Sequence, residues 1–121
     1  MPQFAYRILP TRLAMLTEGP TEAEARVVAE HFAYLRRLCA DGPVLLAGRT
    51  LAADANAFGI VVFEADSEPA ARELMLADPA VRDGVMHAEL YTFRVALWSP
   101  RGPRDATPPS PSASSHESSA P

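Results

Sequence analysis

Lysine is missing from this 121-residue sequence, so all eleven basic side chains are arginines. They are spread along the chain without forming a basic patch, and fifteen acidic residues leave a formal net charge of −4. A phosphate backbone would be repelled by that balance, so nucleic-acid binding is not expected. Cysteine occurs once, at Cys39, which excludes an internal disulfide and leaves no second thiol at metal-ligand spacing. Long apolar runs are lacking too. None approaches the roughly 20 residues a spanning helix needs, and the opening MPQFAYRILP has no long apolar signal region. No membrane role is expected, and the location expected is cytoplasmic. GxGxxG, Walker A, HExxH and GxSxG patterns are all missing, which removes dinucleotide, nucleotide triphosphate, zincin and serine-hydrolase chemistry and leaves no cofactor implied.

What is present is a core-forming composition, 48% hydrophobic, enough for one domain. The apolar residues stop near Trp98. From Arg101 the sequence reads RGPRDATPPSPSASSHESSAP, with no Val, Ile, Leu, Met, Phe, Tyr or Trp. Such a segment cannot bury enough surface to offset its ordering entropy. The expected division is a domain over residues 1–99 and a disordered Ser/Pro-rich tail over 100–121, in which His116 is a solvated side chain.

Within the domain, QFAYRIL alternates Phe4, Tyr6 and Ile8 against Gln3, Ala5 and Arg7, the period of a half-buried strand. Thr21 and Glu24 have the spacing of a capping box, which opens a helix running to about Asp41, where Gly42 and Pro43 end it. VLLAGRT is a second strand, and FGIVVFEA is a third whose continuous apolar run suits burial on both faces. A second helix starts at Asp66 or Ser67, places Ala70, Leu74 and Ala77 on its inner stripe, and ends at Asp78-Pro79. VMHAELYTFRVALW is read as a long fourth strand.

The order βαββαβ is that of the ferredoxin-like α+β sandwich: a four-stranded antiparallel sheet with two helices on one face. The other face is left open, yet strands three and four are apolar at both parities. A second copy of the chain, packed sheet to sheet as a homodimer, is the simplest cover.

On the first long helix Val27, Val28, His31, Tyr34, Leu35, Leu38 and Cys39 recur at steps of three and four. His31 therefore lies on or beside the inward stripe, either as a packing residue or as an acid-base group. The second reading needs a partner that fixes its tautomer. Asp78, before Pro79, is the candidate, against the plainer reading of an Asp making local turn bonds. Asp83 and Glu89 compete, although Asp83 reads as a surface turn residue, and His87 on strand four faces either side. In GPVLLAGRT, Gly48 permits close backbone approach where the strand leaves for a loop, and Arg49 is either a solvated strand end or a fork for a carboxylate or phenolate oxygen. Cys39, in apolar surroundings, is expected to be inert.

Taken together, EHFAYLRRLCADGPVLLAGRTL, then GIVVFEADSEPAARELMLADPAV, then GVMHAELYTFRV resemble the YCII-related family over about residues 3–98. The resemblance implies a dimeric α+β barrel with a pocket between sheet and helices, whose family histidine falls on His31 and aspartate on Asp78. It also implies a fold similar to that of muconolactone isomerases and, for some members, dehydrochlorination of a hydroxylated, chlorinated ring. Arg49 stands where a proline often follows Ala-Gly in the family, and Ala80 where a bulky aromatic often follows Asp-Pro.

Two functions of different class follow. One is a cofactor-free lyase or isomerase acting on a small cyclic or aromatic compound, with His31 and Asp78 as the acid-base pair and Tyr34, Gly48 and Arg49 against the substrate. The other is a non-catalytic ligand-binding or accessory dimer of the same fold. Haem or oxygen chemistry, known in other dimeric α+β barrels, is a third.

Overall fold

The computed structural model describes residues 1–104; most of the expected tail, His116 included, lies outside the described residues. Four strands form one antiparallel sheet: β1 (Gln3–Pro10), β2 (Val44–Arg49), β3 (Gly59–Glu64) and β4 (Met86–Phe93), in spatial order β2-β3-β1-β4. The helices are α1 (Ala14–Thr17), α2 (Glu22–Asp41), α3 (Glu68–Leu76) and α4 (Pro79–Arg82). The order of elements and the sheet are those of the α+β ferredoxin-like fold. The strongly apolar segments β1 and β3 take the two central places, where both their edges are paired.

Local chemistry sets the helix ends. Thr21 Oγ1 accepts the Glu24 N–H while the Glu24 carboxylate accepts the Thr21 N–H, so two otherwise orphaned donors at the start of α2 are satisfied. At its other end Gly42 adopts φ 113°, a left-handed conformation that L side chains resist, and donates its N–H to Leu38 O. Ser67, not Asp66, caps α3. The buried face of α3 is Ala71 and Met75, flanked by the partly buried Ala70 and Leu74, and Ala77 is exposed. The expected stripe of Ala70, Leu74 and Ala77 is thus displaced by about one position. Two adjacent apolar rows on one short helix leave its rotation to be decided by the sheet below it.

Strand register sorts the sheet into two faces. Phe4, Tyr6 and Ile8 of β1, with Val61 and Phe63 of β3, join Leu35, Ala71 and Met75 in the core. On the opposite face lie the buried Ala5 and Val62 and the partly buried Ile60, rimmed by the exposed Leu46, Tyr91 and Phe93.

β4 is shorter than its sequence suggests. Gln3 lies opposite Phe93, and β1 supplies no ladder partner beyond it. Val95 instead donates its N–H to the Gln3 side chain, 3.0 Å away. The apolar Leu97 and Trp98 that follow are exposed rather than part of the strand.

Candidate active site

The end of α3 does more than stop at a proline. Asp78 has extended backbone dihedrals and caps the one-turn α4, its Oδ1 accepting the Ala80 N–H at 3.0 Å. That local bond, the plainer reading of an Asp-Pro, occupies only part of the carboxylate. The rest reaches across to α2 and β1. His31 Nδ1 is 2.7 Å from Oδ1 and 2.9 Å from Oδ2, and the Tyr6 hydroxyl donates to Oδ2 at 2.7 Å. Tyr6 and Asp78 are both 0% exposed and His31 is 9% exposed.

With Asp78 as a carboxylate, which only accepts, the His31–Asp78 bond requires the proton on Nδ1. Burial, then the adjoining Asp78 charge and the hydrogen bond to it, raise the Tyr6 phenol far above its ordinary value. Tyr6 is therefore a permanent donor. Three donors from three elements hold one buried carboxylate, which satisfies the group and fixes the plane of the imidazole. In neutral His31 this leaves the Nε2 lone pair free, and no hydrogen bond to Nε2 is present among the described residues.

His31 also lines a cavity of about 280 Å³ between sheet and helices. Its walls are apolar, with Ile8, Phe32, Leu35, Phe58, Val61 and Met86 among them. The short helix α1, absent from the pattern read in the sequence, contributes Met15 and Leu16. The loop between β2 and β3 is closed at its neck, where the Thr50 N–H donates to Phe58 O and the Phe58 N–H to Thr50 Oγ1, and it adds Ala57 and Phe58 to the wall. Polar groups are sparse. Thr50 and His31 are the uncharged or titratable ones, and Arg49 is the one fully charged residue along the wall.

The predicted site residues separate on this map. His31 and Asp78 are brought into contact, and Gly48 and Arg49 line the cavity. Tyr34 does not. It donates its hydroxyl to Leu74 O at 2.6 Å and borders a different surface cleft with Glu30, Arg37 and Arg82, so its position on α2 ties that helix to α3. Burial and the nearby Asp78 charge raise its phenol, opposed by Arg37. A Cβ at Gly48 would meet open space, whereas one at Gly59 would lie 2.9 Å from Ile8 Cγ1. The close approach expected at Gly48 is therefore at Gly59, its neighbour's partner across the β2-β3 ladder. Asp83 pairs with Arg82, Glu89 accepts from Tyr91, and His87 is exposed on the far face, so none of the three reaches His31. Ala80, within α4, is fully buried, and Cys39 is a free, partly buried thiol at the core's edge.

Tyr6 is the residue the sequence did not single out. Its apolar neighbours Phe4 and Ile8 share its face, so alternation accounts for it as a core aromatic, and nothing local to β1 points to a carboxylate 72 positions away.

A family model for the YCII-related domain matches residues 9–94. The chain belongs to the YCII-related family. Among solved structures, this YCII-related protein is similar to 5-chloro-2-hydroxyhydroquinone dehydrochlorinase from Burkholderia phenoliruptrix in its complex with 2,5-dihydroxybenzoquinone. That similarity has a TM-score of 0.56 at 22% identity, over 78% of this chain and 94% of the other. It is one of fold. No curated protein matches the sequence. No helix of the described residues is long and apolar enough to cross a membrane.

Proposed function

We propose that this YCII-related protein is a cofactor-free enzyme that moves a proton on a small cyclic or aromatic compound, with His31 as the acid-base group. The observation that carries this reading is the His31–Asp78 contact of 2.7 Å at the wall of an apolar cavity. In neutral His31 the free Nε2 takes a proton from the substrate. The electron pair released either expels a leaving group such as chloride or shifts a double bond, in which case Nε2 returns the proton at another carbon. Asp78 holds the tautomer and stabilises the imidazolium as it forms. Arg49 supplies positive charge at the wall, and the Gly48 backbone borders the same space. The fold shared with a dehydrochlorinase makes elimination the first reaction to try.

A second copy of the chain covers the apolar sheet face in the working protein. What supports this is the set of exposed apolar side chains Leu46, Tyr91 and Phe93 on that face, around Ala5 and Val62, which the single chain already buries.

The experiment is to incubate the full-length protein with 5-chloro-2-hydroxyhydroquinone, and with a panel of hydroxylated and chlorinated rings, while recording chloride release and solvent deuterium entering the ring. Turnover that falls roughly 10²–10⁴-fold in His31→Gln is expected. Turnover unaffected by His31→Gln contradicts the proposal. Ligand binding without turnover, unchanged in that variant, favours the accessory-dimer reading.

A further inference from the structure

Arg49 has an unusual setting for a cavity residue. No acidic residue lines the cavity with it, and among the described residues its guanidinium makes neither an ion pair nor a hydrogen bond. Arg12 pairs with Glu24, Arg72 with Glu68, and Arg82 with Glu30 and Asp83, whereas Arg26 and Arg94, like Arg49, make no such pair among the described residues; what sets Arg49 apart is its place on the apolar cavity wall.

Register fixes the direction in which Arg49 points. Arg49 lies opposite Gly59, and Gly59 opposite Ile8, whose side chain is in the core. Side chains directly opposite one another share a face. Arg49 is therefore on the helix-covered face, at the strand end where the cavity opens, and not on the open face. Beside it Gly59 has no side chain, and the Ile8 side chain already fills the spot a Cβ would take. The row Arg49-Gly59-Ile8 thus has a floor with a charged rim. The next row, Ala47-Val61-Tyr6, runs to the residue that holds Asp78. Two residues along the strands and two strand spacings across put the Arg49 and Tyr6 backbones roughly 12 Å apart. Arg49 and His31 line the same cavity, so a ligand that fills it meets the guanidinium and the imidazole together.

We infer that Arg49 is a specificity-determining residue that anchors a carboxylate on the substrate at the end remote from His31, so that the preferred ligands are small monoanions with a flat apolar body. The inference rests on the cavity assigned above as the active site and adds the substrate's charge and its orientation. A guanidinium fork matches the two oxygens of a carboxylate, while the remaining walls offer apolar contact to a ring. Because the rim is solvent-accessible, the carboxylate keeps part of its hydration as it docks. The ring carbon opposite the carboxylate is then presented to Nε2.

The test uses the full-length protein, with benzoate and its neutral isostere benzamide titrated by calorimetry and by the NMR signal of the His31 ring. Benzoate is expected to bind roughly 10-fold to 100-fold more tightly than benzamide, as a charge-assisted hydrogen bond requires, and to shift the His31 signal. Arg49→Gln is expected to abolish the preference, and Arg49→Lys to retain part of it, both with unchanged thermal midpoints. His31→Gln is expected to keep the preference, which separates the anchoring role from proton transfer: a catalytically silent protein that still selects benzoate through Arg49 overturns only the acid-base reading. Equal binding of the two ligands, no benzoate binding up to roughly ten millimolar, or a preference that survives Arg49→Gln each overturns the inference.

Discussion

Asp78 is the residue on which the site depends, because it is fully buried and three donors converge on it. Removing the carboxyl and removing only its charge should therefore part company. Asp78→Ala strands the Tyr6 hydroxyl and the Ala80 N–H, at about 1–3 kcal/mol for each orphaned buried group and less than additively. A fall in thermal midpoint well beyond about 4 °C is expected in a melting scan. Asp78→Asn preserves volume and can be accommodated by the same partners, so its loss is expected mainly in turnover. Tyr6→Phe, losing one hydrogen bond, should cost about 0.5–1.5 kcal/mol. The legibility of the site follows the same geometry. His31 was readable because a histidine on a helical stripe stands out from its neighbours, and Asp78 because an Asp before proline is a recognisable boundary. Their contact was not readable from either segment, since it depends on how α3 ends over α2.

At the scale of elements, α2 is secured at its start by the reciprocal Thr21–Glu24 bonds and by Arg12, whose Nη2 lies 2.6 Å from Glu24 Oε1. The Arg12 hydrogen bond, followed by the Thr21 N–H, lowers the Glu24 carboxyl from 4.5 to about 2. A folded value below the unfolded one means the contribution is complete above pH 4.5 and is lost as the pH falls from there toward 2. Denaturant titrations across that window should show stability falling in the native protein and a shallower fall in Glu24→Gln. The capping box, the Gly42 stop and the central strands are local or strongly periodic, and they are where the sequence and the structure agree. The single-turn helices α1 and α4 are too short for periodicity to mark. The end of β4 depends on where its ladder partner β1 runs out, which the residues of β4 do not encode.

For the whole molecule, two faces of one sheet carry separate tasks: one holds the cavity under α1 and α2, the other exposes Leu46, Tyr91 and Phe93. Light scattering of the full-length protein is expected to give twice the chain mass of 13.0 kDa. The pair Leu46→Asp and Phe93→Asp, on the exposed rim of the open face, is expected to return a monomer with its fold intact by circular dichroism. A single-chain mass for the unaltered protein contradicts the dimer. The acid-base claim has a more direct test that needs no substrate. Long-range proton–nitrogen NMR of the histidine rings distinguishes the two neutral tautomers, with exposed His87 as an internal reference. His31 is predicted to hold its proton on Nδ1, against Asp78, with Nε2 unprotonated at the cavity wall; a neutral His31 with its proton on Nε2 would contradict the account.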